Sequence, residues 1–145
     1  MSDILKMTVE SKSVNEGFAR ASVAAFVARL DPNLEELNDV KTAVSEAVTK
    51  CIVHAYPDSV GLIHITVRTD AATGTVRITI RDTGRGIENI PQAREPMFTT
   101  GGAERSGMGF TVMESFMDAV NVRSRLGHGT TVTLTRRLTL RETKA

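Results

Sequence analysis

The chain has 145 residues, the length of one domain. With 41% hydrophobic and 24% charged side chains it reads as a folded protein rather than a disordered one. Its 18 Lys and Arg against 17 Asp and Glu leave a formal charge of +1, without the basic excess of a protein that grips nucleic acid directly. A single cysteine, Cys51, excludes an intrachain disulfide and a cysteine metal site. No apolar run approaches the roughly 20 residues of a membrane span, so a cytoplasmic protein is expected.

In chain order, residues 6–10 predict a short first strand. Ser13-Val-Asn-Glu16 has the spacing of a capping box and predicts a helix through about Leu30, with Val14, Phe18, Ala21, Ala25 and Ala28 as its apolar stripe. Asp31-Pro32-Asn33 breaks it. A second helix is predicted over 34–55, where Leu37, Val40, Val44, Ala47, Val48, Cys51, Ile52 and Ala55 form a long stripe, so Cys51 reads as a packed core thiol. Two alternating strands follow, Ile63-Ile65-Val67 and Val76-Ile78-Ile80, joined by a hairpin at 70–74. A glycine-rich stretch over 83–109 leads into a helix predicted at 108–118, with Met113, Phe116, Met117 and Val120 inward. Two last strands are predicted at 119–124 and 130–138. The order β-α-α-β-β-loop-α-β-β implies an α+β fold, a mainly antiparallel sheet with helices on one face.

Several residues break these patterns. The next residue on the core face after Val76, Ile78 and Ile80 is Asp82. A carboxylate buried there is expensive unless paired, and the alternative is that it turns outward at the strand end. The sequence continues Thr83-Gly84-Arg85-Gly86-Ile87, with two glycines that let the backbone turn sharply. Eight of the 11 glycines lie between Gly84 and Gly129, which concentrates backbone freedom in one region. Ser106-Gly107-Met108-Gly109-Phe110 precedes the third helix, and free amides at a helix start suit a phosphate. Gly102 to Gly107 has the spacing of a P-loop, but Met108-Gly109 follows where Lys and Ser or Thr are required, which rejects that motif. Glu46, Lys50 and His54 form a polar line beside the stripe of the second helix. Glu46 and Lys50 at i,i+4 are also suited to a simple surface ion pair.

Taken together, Ser45-Glu46-Ala47-Val48-Thr49 with His54-Ala55-Tyr56, Asp82-x-Gly84-x-Gly86, Phe98-Thr99-Thr100 with 104–110, and Gly129-Thr130-Thr131 resemble the N-box, glycine boxes, lid and closing motif of the GHKL ATPase/kinase superfamily. The resemblance covers nearly the whole of 1–145 as one domain. It implies the Bergerat-type two-layer α/β sandwich. Within the superfamily the likeness is to serine protein kinases that sequester a sporulation sigma factor and phosphorylate an anti-anti-sigma protein. It implies ATP or ADP as ligand, Mg²⁺ with ATP, and a homodimer. Asp82 matches the acceptor of the adenine amino group. Gly84, Gly86, Ile87, Thr99, Thr100 and Thr130 line the nucleotide, and Arg105, Ser106, Gly107, Met108, Gly109 and Phe110 wrap its phosphates, with His54 nearby. Glu46 matches the general base. Glu16, Arg20, Glu104 and Arg105 match partner-binding positions. The small residues over 99–103 imply a mobile lid.

One departure stands out. The N-box asparagine, a magnesium ligand in the family, is Lys50 here, and an ammonium has three donors and no acceptor. Three consequences are compatible with it: Lys50 neutralises phosphate charge itself, or it holds Glu46 in a poor pose, or the chain is a nucleotide-binding anti-sigma module with impaired kinase activity. A remote alternative is a dimeric aspartic protease through Asp82-Thr83-Gly84. The long helix at 34–55 and Arg81, where that site needs an apolar wall, argue against it.

Overall fold

Strand alternation and helix periodicity in the sequence translate into eight elements in the computed structural model, which describes residues 2–87 and 109–140. Strand β1 is Ser2–Glu10, helix α1 is Val14–Val27 with a 3-10 turn at Ala28–Leu30, and helix α2 is Leu34–Lys50 with a π-helical turn at Cys51–Ala55. Strands β2, Leu62–Asp70, and β3, Thr75–Asp82, form the expected hairpin. Helix α3 is Gly109–Phe116, and strands β4, Ala119–Arg125, and β5, Gly129–Arg137, close the fold. The sheet order is β1-β2-β3-β5-β4, and every neighbouring pair is antiparallel. This is the expected α+β architecture.

The core lies between the sheet and the helices. Ile63, Ile65, Val67, Val76, Ile78, Ile80, Val132 and Leu134 point from the strands toward Val40, Val44, Ala47, Val48 and Cys51 of α2. The outward positions of β2 and β3 carry Thr66, Arg68, Arg77, Thr79 and Arg81, none of them buried. That alternation follows from the two-residue period of a strand with one covered face.

Two expectations for α1 are corrected. The apolar row Val14, Phe18, Ala21, Ala25 and Ala28 is exposed, with Val14 at 78% and Phe18 at 60%, whereas Ala19, Val23, Ala24 and Val27 are buried. Apolar residues run round most of this helix, so periodicity alone did not select a face, and the row Ala19, Val23, Ala24 and Val27 packs inward. The Ser13–Glu16 capping box does not form. Ser13 is already helical and its side chain makes no cap bond, and Glu16 lies 3.6 Å from Arg20 instead. The box occurs on α2. The Asn33 side chain accepts from Glu36 N at 2.8 Å, and Glu36 accepts from Asn33 N at 3.0 Å.

Glu36 also accepts from Thr139 N at 2.7 Å, which ties the start of α2 to the chain beyond β5. Burial works against its ionisation. The amides of Thr139 and Asn33, with Arg136 nearby, outweigh burial and hold its pKa below the ordinary 4.5. A lowered folded-state pKa means that this stabilisation is complete above 4.5 and is lost as the pH falls through the folded value. The second helix reaches Ala55 as expected, with its last turn, Cys51–Ala55, π-helical.

Asn33→Ala is expected to lower stability by about 1 kcal/mol in urea unfolding, while Ser13→Ala changes it by less than about 0.5 kcal/mol. Glu36→Gln is expected to destabilise at neutral pH, with the difference fading on acidification below the ordinary value. A constant difference across that range would contradict the role given to Glu36.

Candidate functional site

Asp82 ends β3 on its inward face, and the strand period puts it there, in register with Ile63 on β2 and Thr130 on β5. It is 5% exposed. One carboxylate oxygen, Oδ1, accepts from Gly84 N at 2.9 Å and Thr130 N at 3.2 Å. The other, Oδ2, accepts from Cys51 Sγ at 3.5 Å. Burial raises the Asp82 pKa, and the bonds from Gly84, Cys51 and Thr130, with the charge of Arg81, pull the other way without cancelling it. Cys51 is buried, and burial next to this carboxylate pushes its thiol well above the ordinary value, so it is a protonated donor. The core-thiol reading of Cys51 therefore holds, with a polar role added.

The turn after Asp82 is built from contacts that require glycine. A Cβ on Gly84 would overlap Ala55 O at the end of the π-helical turn, and Arg85 N donates to that same carbonyl at 3.1 Å. Gly86 has φ +78° and lies against Arg125 O, while Gly127 N donates to Arg85 O at 2.7 Å. The segment 83–87 is thus held between the end of α2 and the β4–β5 hairpin.

Two residues to which the sequence analysis gave no role of their own pin this turn. Tyr56 Oη accepts from Thr83 N at 2.8 Å and donates to Leu62 O at 2.9 Å. Ser124 Oγ accepts from Ile87 N at 2.8 Å, donates to Gly129 O at 3.0 Å and lies 2.7 Å from Thr130 Oγ1. Ser124 follows Val120 and Val122 on the inward side of β4, so alternation carried a signal for it. Tyr56 was marked only as the last residue of the N-box resemblance, with nothing to show its bond to Thr83.

Glu46 and Lys50 are one turn apart on α2 and face the first residue of α3. A Cβ on Gly109 would lie 2.5 Å from Lys50 Cε, 3.0 Å from Lys50 Nζ and 3.3 Å from Glu46 Oε2. The Lys50 ammonium sits over the Phe110 ring, 4.7 Å from its centroid. The simple Glu46–Lys50 ion pair is not among the ion pairs of the described residues. Burial lowers the Lys50 pKa, and Glu46 opposes that shift. His54 lies half-buried in the π-helical turn.

Magnesium does not fit this position as a protein-held ion. A charged lysine offers no lone pair, and no group of three His, Cys, Asp or Glu among the described residues is arranged to hold a metal. Arg20 of α1 lines a surface cavity of about 300 Å³ with Asn38, Lys41, Thr42, Ser45 and Glu46 of α2, so one partner-binding candidate and the candidate base share a groove. Thr99, Thr100, Glu104, Arg105, Ser106, Gly107 and Met108, with the expected lid, lie outside the described residues.

The chain therefore brings together a buried carboxylate acceptor (Asp82), its glycine turn, Thr130, and the polar pair Glu46 and Lys50 beside α3. Residues 9–136 match the family model described as a histidine kinase-like ATPase domain. The chain is 52% identical over 141 residues to an anti-sigma F factor of Anoxybacillus flavithermus, covering 96% of this chain and 95% of that one. It is 56% identical over 133 residues to an anti-sigma F factor of Clostridium beijerinckii, covering 89% and 92%. Among solved structures it resembles the RsbU and RsbW domains of Rv1364c from Mycobacterium tuberculosis. The TM-score there is 0.68 at 22% identity, over 94% of this chain and 32% of that one, which speaks to the fold alone. The aspartic protease alternative falls, since Asp82 closes a sheet covered by helices in an ATPase domain. On these grounds the chain belongs to the anti-sigma F factors of the histidine kinase-like ATPase family.

Proposed function

We propose that residues 1–145 act as a single cytoplasmic domain that binds an adenine nucleotide, sequesters a sporulation sigma factor and phosphorylates a serine of an anti-anti-sigma protein. The observation that carries this reading is Asp82, a buried carboxylate fixed by two backbone amides and a thiol in a family of ATPase domains. A fixed acceptor at a sheet end suits the exocyclic amino group of adenine. Thr130, Gly84, Gly86 and Ile87 stand around it, and Gly109 and Phe110 of α3 belong to the phosphate side of the site in this reading.

ATP supplies the phosphoryl group. Glu46 takes the proton of the substrate serine as that oxygen attacks the γ-phosphorus and the bond to ADP breaks. The groove that joins Arg20 to Glu46 supports a protein substrate entering along α1 and α2, with Glu16 holding Arg20 in place. Glu104 and Arg105 complete the partner surface in this reading. The exposed apolar row of α1 supports a homodimer. Lys50 favours a second reading, a nucleotide-gated anti-sigma module with impaired transfer, because a single ammonium is a weaker electrostatic aid than a divalent ion.

Labelled ATP with the cognate anti-anti-sigma protein separates the two: label on serine means a kinase, and binding without transfer means the module. Glu46→Gln is expected to slow labelling by about 10²- to 10⁴-fold while ATP binding persists. Lys50→Asn is expected to speed it.

Asp82→Asn is expected to lose ADP binding in calorimetry without losing stability at neutral pH. The folded-state pKa of Asp82 is raised, so its ionised form works against folding above the ordinary 3.8, and an amide relieves that cost. The stability difference between variant and parent should shrink as the pH approaches 3.8. A variant less stable than the parent at neutral pH, with ADP affinity unchanged, would contradict the assignment.

A further inference from the structure

Helices cover one face of the sheet, and the other face is open. Alternation decides what stands on it. Lys6 on β1, Arg68 on β2, Arg77 and Arg81 on β3, and Arg123 and Arg125 on β4 are exposed and point away from the core. Two acids share that face, Glu10 and Asp70, each at the end of its strand. Glu10 pairs with Lys12 at 3.2 Å, and Asp70 accepts from Ala72 N at 3.0 Å in the hairpin turn. In a chain whose formal charge is only +1, one face therefore gathers the cations.

The strand register sets these cations close to one another. Arg68 and Arg77 are direct partners across β2 and β3, and like charges placed opposite each other destabilise a sheet. Arg81 stands opposite His64 on one side and Thr131 on the other, and Thr131 stands opposite Arg123. Among the described residues, Arg68, Arg77, Arg81 and Arg123 take part in none of the ion pairs. An acidic partner relieves such an arrangement.

The form of the face selects the partner. The strands carry no Phe, Tyr or Trp, so nothing on them stacks the bases of a single nucleic-acid strand. Five strands about 4.8 Å apart make a surface roughly 20 Å wide, too broad for a duplex groove of about 12 Å. The exposed large apolar side chains of these strands, Ile4 and Leu62, lie at opposite ends of the β1–β2 ladder and form no patch that enters a lipid surface. Cations about 10 Å apart across Thr131 and about 13 Å apart along β3, with the Thr131 and Thr79 hydroxyls between them, suit carboxylates spread along a polypeptide.

We propose that the open face of the sheet, centred on Arg68, Arg77, Arg81 and Arg123, docks an acidic segment of a protein partner. The groove between Arg20 and Glu46 lies on the helical side, so a partner on the sheet leaves that groove clear. The like-charge pair Arg68–Arg77 is the centre of the surface, a cost to folding that binding offsets.

Fluorescence-anisotropy titration of labelled poly-L-glutamate with the full chain tests it, beside a labelled DNA duplex and phosphatidylserine vesicles as competing anions. The parent chain is expected to bind poly-L-glutamate more tightly than the other two, with affinity that falls as salt rises. Arg77→Glu is expected to weaken that binding at least about tenfold, while Lys12→Glu, a charge reversal outside the strands, changes it less than about twofold. Arg77→Thr is expected to weaken it about threefold and to raise Tm by a few degrees, because it removes one member of the facing pair. Equal poly-L-glutamate affinity for the parent, Arg77→Glu and Arg77→Thr overturns the proposal, as does absence of binding by the parent. Tighter binding of the duplex or the vesicles, lost in Arg77→Glu, assigns the face to phosphate and also overturns it. Should Arg77→Glu fail to fold, Arg77→Thr decides.

Discussion

The buried carboxylate of Asp82 is the constraint around which the rest of this molecule is arranged. It sits at the end of β3 among core side chains, where an unpaired charge is costly, and the surrounding chain supplies the offsets. The amides of Gly84 and Thr130 point at one oxygen and the Cys51 thiol at the other. For Gly84 N to reach back, the backbone must turn at once after Asp82, and this brings it against Ala55 O, where only glycine fits. For Thr130 N to reach across, β5 must begin at Gly129, whose φ of +107° and contact with Asp82 O leave no room for a side chain. Three remote pieces of sequence, the end of α2, the turn at 82–87 and the β4–β5 hairpin, are thereby locked to one side chain. The raised pKa shows that these offsets are incomplete. A group retained at a net cost to folding is expected at a binding site.

The second polar feature, Glu46 with Lys50, lies on the same helix as Cys51, so one element, α2, carries the acceptor's support at its end and the charged pair a turn earlier. The capping box at Asn33 and Glu36 fixes where that helix begins, and the bond from Thr139 N to Glu36 fixes it to the end of the sheet. The π-helical turn at Cys51–Ala55 then sets how far the helix projects before Tyr56 binds Thr83. Stability and site geometry therefore share the same few residues.

Most of the fold was legible because its signals are local. The two-residue alternation in β2 and β3 placed Asp82 on the inward face, and the stripe of α2 identified Val40, Val44, Ala47 and Val48 as buried but not Glu36 or Ala43. The failures have a common cause. On α1 apolar residues surround the helix, and which of them meets the core is decided by tertiary packing that no periodicity encodes. The capping box at Ser13 had the right letters, but the chain leaving β1 was already in helical conformation there. Tyr56 bonds to Thr83, 27 residues away, and Lys50 meets Phe110, 60 positions on, so neither contact leaves a trace in sequence spacing. The site residues on described elements were reached through the glycine boxes and the inward acid, while the chemistry of Lys50 became readable only from its surroundings.

The central claim is that Asp82 exists to accept a hydrogen bond from the amino group of adenine. Competition between ADP and inosine diphosphate for the unmodified chain tests it most directly, because the two ligands differ at that group and share their phosphates. The account predicts that ADP binds at least about tenfold tighter, since the analogue leaves a buried acceptor without its donor. Equal affinities would contradict it.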